Sequence, residues 1–334
     1  GIMMPNGQQP IFIMPEGTNQ TRGKTAQGNN IAAAKAVADA VKSTLGPKGM
    51  DKMLVNGLGD VLITNYGATI LREINVEHPA AKMVIEVSKT QEAQCYDGTT
   101  SAVVLAGALL KESEALIEKN VHPTLIASGY RMASQKALEI LESCVIDSHL
   151  GIVETARRCA ETALTGKFTD THESVKNVIA SLASDAVQKL TDDMMVANID
   201  DINVVCATGG SVEDSYLIDG IVLEKEKAHN GMPIAIDGVL IALVDSSIEV
   251  RKTEVDARIN ITSPDQMQQF LDQEENALKD MVNKFIEIGA NVVLCQKQID
   301  DLALHYMAKA GIMGVQSCRK SQMVSVAKAT GGTV

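Results

Sequence analysis

"CYDGTTSAVVLAGALL", residues 95–110, sets one carboxylate, one glycine and three hydroxyls directly ahead of a run of small and branched apolar residues. The apolar run reads as the body of a helix, so Asp97-Gly98-Thr99-Thr100-Ser101 falls at its N-terminus. A helix N-terminus carries unpaired N–H groups and a partial positive charge, which favour an anion. Glycine lets a backbone approach a ligand closely, and first-turn hydroxyls can donate to phosphate oxygens. A carboxylate beside phosphates is repelled unless Mg²⁺ lies between them, and Mg²⁺ is commonly held by a carboxylate together with phosphate oxygens. Two readings are therefore open. Either Asp97 or Thr99 caps the helix, or the stretch is a magnesium–phosphate clamp.

Working outward, "HPAAKMVIEVSKTQEAQ" (78–94) reads as a helix with Pro79 at its first position. The helix after the clamp runs to about Lys119, and "HPTLIASGYRMASQKALEILESC" (122–144) repeats the His-Pro opening. Upstream, Ile31, Ala34, Val37, Val41 and Leu45 recur at helical spacing over 28–45, and Gly46-Pro47 stops that helix. "KMLV" (52–55) and "VLIT" (61–64) flank a turn and read as a hairpin, followed by a short helix from Gly67. Helical windows at 152–164 and 172–190 lead into a strand, "INVVCAT" (202–208), and a Gly209-Gly210 joint. Beyond it the texture changes. "GIVLEKE" (220–226), "VLIALVD" (239–245), "ANVVLCQ" (290–296) and "IMGVQSC" (312–318) read as strands, with helices over 263–289 and 299–311. Ser263, Pro264 and Gln266 give the first of these helices N-cap, N1 and N3 residues. Alternating strands and helices imply an α/β domain.

The bulk numbers narrow the class. A chain of 334 residues, 45% hydrophobic and 22% charged, is an ordinary globular protein of two or three domains. Aromatics are 3% and Trp is absent, so the core is aliphatic, with 15 Met. A net charge of −12 and few aromatics argue against nucleic acid as a partner. Six scattered Cys form no C-x-x-C pair, which reads as reduced thiols and a cytoplasmic location. The His residues show no metal-ligand spacing. No window approaches about 18 consecutive apolar residues, so no membrane span is expected. Residues 1–10 read as a flexible tail. A Walker A loop is missing, and "GLGDVL" lacks the third glycine of a dinucleotide fingerprint, which disfavours an unrelated α/β nucleotide enzyme.

"LGPKGMDKML" (45–54), "GDVLITNYGATIL" (59–71) and "DGTTSAVVLAGALL" (97–110), in this order, resemble the equatorial domain of group II chaperonins, the thermosome and CCT-type family, and look closest to archaeal members. The stretches 15–54, 209–233 and 261–312 extend the resemblance to roughly residues 10–332. It implies a multidomain α and α/β fold. The mostly helical equatorial domain with its β-hairpin is expected at 11–145. A small mixed intermediate domain follows at 146–212, then an α/β apical domain with a helical lid protrusion at 213–334. It also implies a chaperone that binds non-native proteins, uses ATP and Mg²⁺, and joins like subunits in a double ring.

By this resemblance Leu45, Gly46 and Pro47 line the nucleotide, Asp97 holds Mg²⁺, and Gly98, Thr99, Thr100 and Ser101 hold phosphates. Lys167, in "LTGKFTD", matches a lysine that senses the γ-phosphate. Met267, Phe270 and Leu271 are lid or client-contact candidates. The chain departs from the family at Tyr66, where an aspartate is expected, and at Tyr96, where a glycine is expected. Tyrosine cannot serve as a carboxylate base, so no catalytic residue is assigned, and slow or absent hydrolysis is expected. Family members also continue beyond this length, so the C-terminal part is expected to be missing. A passive, peptide-holding chaperone is the alternative function.

Overall fold

The computed structural model describes residues 22–167, 172–191, 196–250 and 263–334. The expected tail at 1–10 lies outside them. The chain divides into two compact units, one running to Gln188 and including Gly210–Ser215, the other made of Lys189–Gly209 and Tyr216–Val334.

In the first unit α1 (Gly23–Lys42) packs on α3 (Pro79–Cys95) and α4 (Thr99–Glu118), with the short α2 (Gly67–Glu73) against them. The helical spacing read from sequence delivers the core: Ala34, Val37, Ala38 and Val41 from α1 meet Ile70, Leu71, Val84, Ile85 and Val103. Pro79 and Pro123 sit at the first positions of α3 and of α5 (Pro123–Ser143), each capped by the preceding histidine, His78 and His122. The strands β1 (Lys52–Val55) and β2 (Val61–Thr64) pair antiparallel, Lys52 opposite Thr64. Their turn closes on itself, with Asn56 Oδ1 accepting from the N–H groups of Leu58 and Asp60 at 2.9 Å each. Helices α6 (Ile152–Leu164) and α7 (Glu173–Leu190) follow, the last two residues of α7 passing into the second unit.

Small residues set how closely α1 and α4 approach. A Cβ built on Gly107 would lie 2.4 Å from the Cβ of Ala38. Both helices are stiff, so neither gives way cheaply. Gly107→Ala is expected to cost about 1–2 kcal/mol by overpacking, read as a lower urea midpoint with an unchanged slope. An unchanged midpoint would show that the two helices separate freely.

In the second unit three strands form a parallel sheet in the order β3 (Ile241–Val244), β4 (Val292–Cys295), β5 (Met313–Val315). The connections are α8 (Pro264–Glu287) and α9 (Asp301–Lys309), and α10 (Lys320–Thr330) follows β5. Every residue of β4 is buried, as a central parallel strand covered on both faces requires. Val293 and Cys295 join a cluster with Leu278, Val282, Leu304 and Met307, while Val292 and Leu294 join Val315, Met323 and Val326. Ser263 caps α8 as expected, its side chain accepting from Gln266 N at 3.3 Å.

Two expected strands are corrected. Residues 202–208 and 220–226 carry no strand. Their β-branched composition fits a pleated surface, yet a strand exists only through ladder bonds to a neighbour. Residues 202–208 make none among the described residues, and Val204 stays exposed.

Candidate functional site

The clamp stretch is the tight joint between two core helices. Tyr96 ends α3 in the left-handed region (φ 55°), Gly98 precedes α4 in the same region (φ 75°), and Asp97 lies between them. Gly98 is the N-cap and gives α4 no side-chain cap. Of the two readings of this stretch, capping by Asp97 or Thr99 is therefore not what the structure contains. The Oδ1 of Asp97 accepts from the N–H of Gly98 at 2.8 Å, and its Oδ2 takes no hydrogen bond or ion pair among the described residues. The first turn of α4 thus keeps its N–H groups and positive end for a ligand.

A cleft of about 180 Å³ opens in front of this turn, lined by Asp97 through Ser101. Its second wall is the turn after α1, with Thr44, Leu45 and Gly46. The third wall comes from the end of α6 and the turn after it: Thr162, Ala163, Thr165, Gly166 and Lys167. Asn65 fastens the third wall to the rest, donating from Nδ2 to the carbonyl of Gly166 at 2.6 Å. Gly166 has φ 79°, and a Cβ there would lie 2.7 Å from the carbonyl oxygen of Gly46. Only glycine fits that crossing.

Among the described lining residues the cleft carries one cation, Lys167. The Nζ of Lys167 lies 3.9 Å from Asp97 Oδ1 and 5.1 Å from the centroid of the Tyr66 ring. The hydroxyl of Tyr66 donates to the carbonyl of Tyr96 at 3.1 Å, tying the start of α2 to the end of α3. Burial pushes the Tyr66 phenol above its ordinary range, and the Glu92 carboxylate raises it further. Tyr66 is therefore neutral near pH 7 and cannot take the part of a carboxylate.

The structure thus brings Leu45, Gly46, Asp97, Gly98, Thr99, Thr100, Ser101 and Lys167 to one cleft. Pro47 stands beside it without lining it, its Cα 3.5 Å from the Cβ position at Gly166. Tyr66 and Tyr96 join at its edge. Met267, Phe270 and Leu271 lie on α8 of the other unit, Met267 and Leu271 about half exposed and Phe270 half-buried. Sequence reasoning missed Thr44, Thr162 and Thr165. The only signal for the latter two was their i, i+3 spacing ahead of the Gly166-Lys167 turn. Among the described residues there is no group of three or more His, Cys, Asp or Glu that could hold a metal. No helix among them is long and apolar enough to cross a membrane.

A helical unit whose uncapped, glycine-led helix start faces the Lys167 ammonium is joined in sequence to a parallel α/β unit. The chain belongs to the TCP-1/cpn60 chaperonin family, whose model matches residues 37–334. It is 50% identical over 99% of its length to the thermosome subunit beta of Methanothermobacter thermautotrophicus. Identity is 52% over 98% of the chain to the thermosome subunit beta of Archaeoglobus fulgidus, and 52% over 97% to the alpha subunit of that organism. The resemblance to archaeal group II chaperonins read from the motifs is thereby borne out. The chain spans about 60% of the length of these relatives.

Proposed function

We propose that this chain works as part of an ATP-dependent chaperonin subunit, with the cleft at Asp97–Ser101 as its nucleotide site. The single observation that carries the reading is the meeting of an uncapped helix N-terminus, a carboxylate with a free oxygen and a lysine ammonium in one cleft. Backbone N–H groups and hydroxyls of Thr99, Thr100 and Ser101 bind phosphate oxygens. Leu45, Gly46 and the adjoining Pro47 shape the opposite side. Lys167 adds positive charge from the third wall and reports the terminal phosphate to α6. The donor set fits Mg²⁺: the free oxygen of Asp97 is a hard ligand that phosphate oxygens and water can complete. Asp97 is the residue to hold it, and the bound ion supplies neutralisation of phosphate charge.

In this reading residues 11–145 form the equatorial domain, 146–212 the intermediate domain and 213–334 the apical domain. The exposed Met267 and Leu271, with Phe270, offer an apolar face to non-native clients, Met being adaptable in shape. Like subunits assembled in a double ring in the cytoplasm complete the proposal. The passive-holder alternative draws no support from the relatives.

The test is phosphate release from Mg-ATP. Wild type is expected to turn over slowly, because Tyr66 supplies no base. Tyr66→Asp restores a carboxylate beside the cleft and should raise turnover about tenfold or more, a modest share of what a positioned base contributes. Turnover in neither protein, with no binding of nucleotide, would sink the reading.

A further inference from the structure

Lys167 stands where a cation is already provided for. Its ammonium is 3.9 Å from Asp97 Oδ1, and the face of Tyr66 supports it at 5.1 Å. Tyr66 is itself held, since its hydroxyl donates to the carbonyl of Tyr96, the residue next to Asp97. The contact chain therefore runs from the α2 start through the Tyr66 ring to Lys167 and on to Asp97. A lysine on a turn has several rotamers to choose from and loses entropy when held in one. An aromatic face that attracts its charge selects the rotamer near Asp97. The result is a positive charge beside Asp97, the one carboxylate among the described lining residues, which would otherwise repel phosphates.

We propose that Tyr66 is a positioning residue that keeps Lys167 beside Asp97 as an internal cation, so that a nucleoside diphosphate binds this cleft with only weak dependence on divalent metal. The inference rests on the nucleotide reading of the cleft. It concerns binding, and is separate from the lack of a base at residue 66.

A structural role and a positioning role differ in what they do to metal dependence. If Tyr66 merely props up the cleft, its removal weakens binding equally with and without metal. If it positions Lys167, its removal exposes the charge of Asp97 to the phosphates only when no metal is there to neutralise it. The measurement is the affinity of a fluorescent ADP analogue in Mg²⁺ and in EDTA, for the whole chain. Tyr66→Leu should raise the ratio of the two dissociation constants about fivefold, the factor that about 1 kcal/mol of cation–aromatic attraction gives. Tyr66→Phe keeps the ring and should restore the wild-type ratio, which also controls for folding. Equal shifts in both arms, or no shift in either, overturn the inference. If Mg²⁺-dependent binding is present and is lost in Asp97→Ala while Tyr66→Leu leaves the ratio unmoved, this inference falls and the nucleotide site stands. If wild type binds the analogue in neither condition, both fall.

Discussion

If the proposed site holds, Asp97→Ala is expected to lower Mg²⁺-dependent ATP turnover about a hundredfold or more, the loss expected when the ligand of a charge-neutralising metal is removed. The change is small in every other respect. Asp97 is in a joint whose backbone is fixed by its neighbours, Tyr96 and Gly98 both in the left-handed region. Among the described residues its side chain accepts one hydrogen bond, from the N–H of the next residue, and makes one loose ion pair at 3.9 Å. Both contacts are exposed, so their loss costs little stability. The hydrophobic contacts of α3 and α4 do not involve it. An activity loss with an unchanged unfolding midpoint therefore separates the metal role from a folding role. Asp97→Asn is the companion variant: it keeps the shape and an acceptor oxygen but not the charge, and should be nearly as impaired. Turnover preserved in both would remove Asp97 from the site.

Met307→Ala is expected to destabilise the second unit by about 3 kcal/mol, within the usual range for emptying a core methionine site. Met307 is fully buried on α9, amid Leu278, Val282, Val293 and Leu304. Its sulfur also closes the space over Gly314 of β5, lying 3.2 Å from where a Cβ there would be. Truncation leaves a void against a parallel sheet whose central strand has no freedom to collapse into it. Met307→Leu, nearly equal in volume, should cost less than about 1.5 kcal/mol. Urea denaturation followed by circular dichroism measures both. A cost for the alanine variant no larger than for the leucine variant would mean that α9 shifts to fill the gap.

What could be read in advance followed from how local each signal was. Pro79, Pro123 and Pro264 mark helix starts by fixing their own backbone, and each helix begins there. The hairpin was legible because its turn chemistry lies between its strands. Residues 202–208 misled because strand composition says nothing about whether a partner strand is present. The clamp at 97–101 was visible as consecutive residues, and Gly46 and Lys167 came through the family likeness. Lys167's perch on Tyr66 was hidden, since it joins residues from two separate turns. Tyr66 and Tyr96 stood out singly as departures, yet nothing in the sequence says that one donates to the other.

The hydrogen bond from Asn65 to Gly166 closes a loop of 101 residues. Bringing such distant points together has an entropic cost that grows only slowly with length but is never zero. One neutral contact offsets about 1 kcal/mol of it. Any ligand that fills the cleft touches both ends of this loop, because its lining includes residues from each. At a hundred times its dissociation constant such a ligand adds about 2.7 kcal/mol to the closed arrangement. Such a ligand would act as a removable crosslink between these two ends, added to the Asn65 bond, while the packed helices α1, α3 and α4 make their contacts without it.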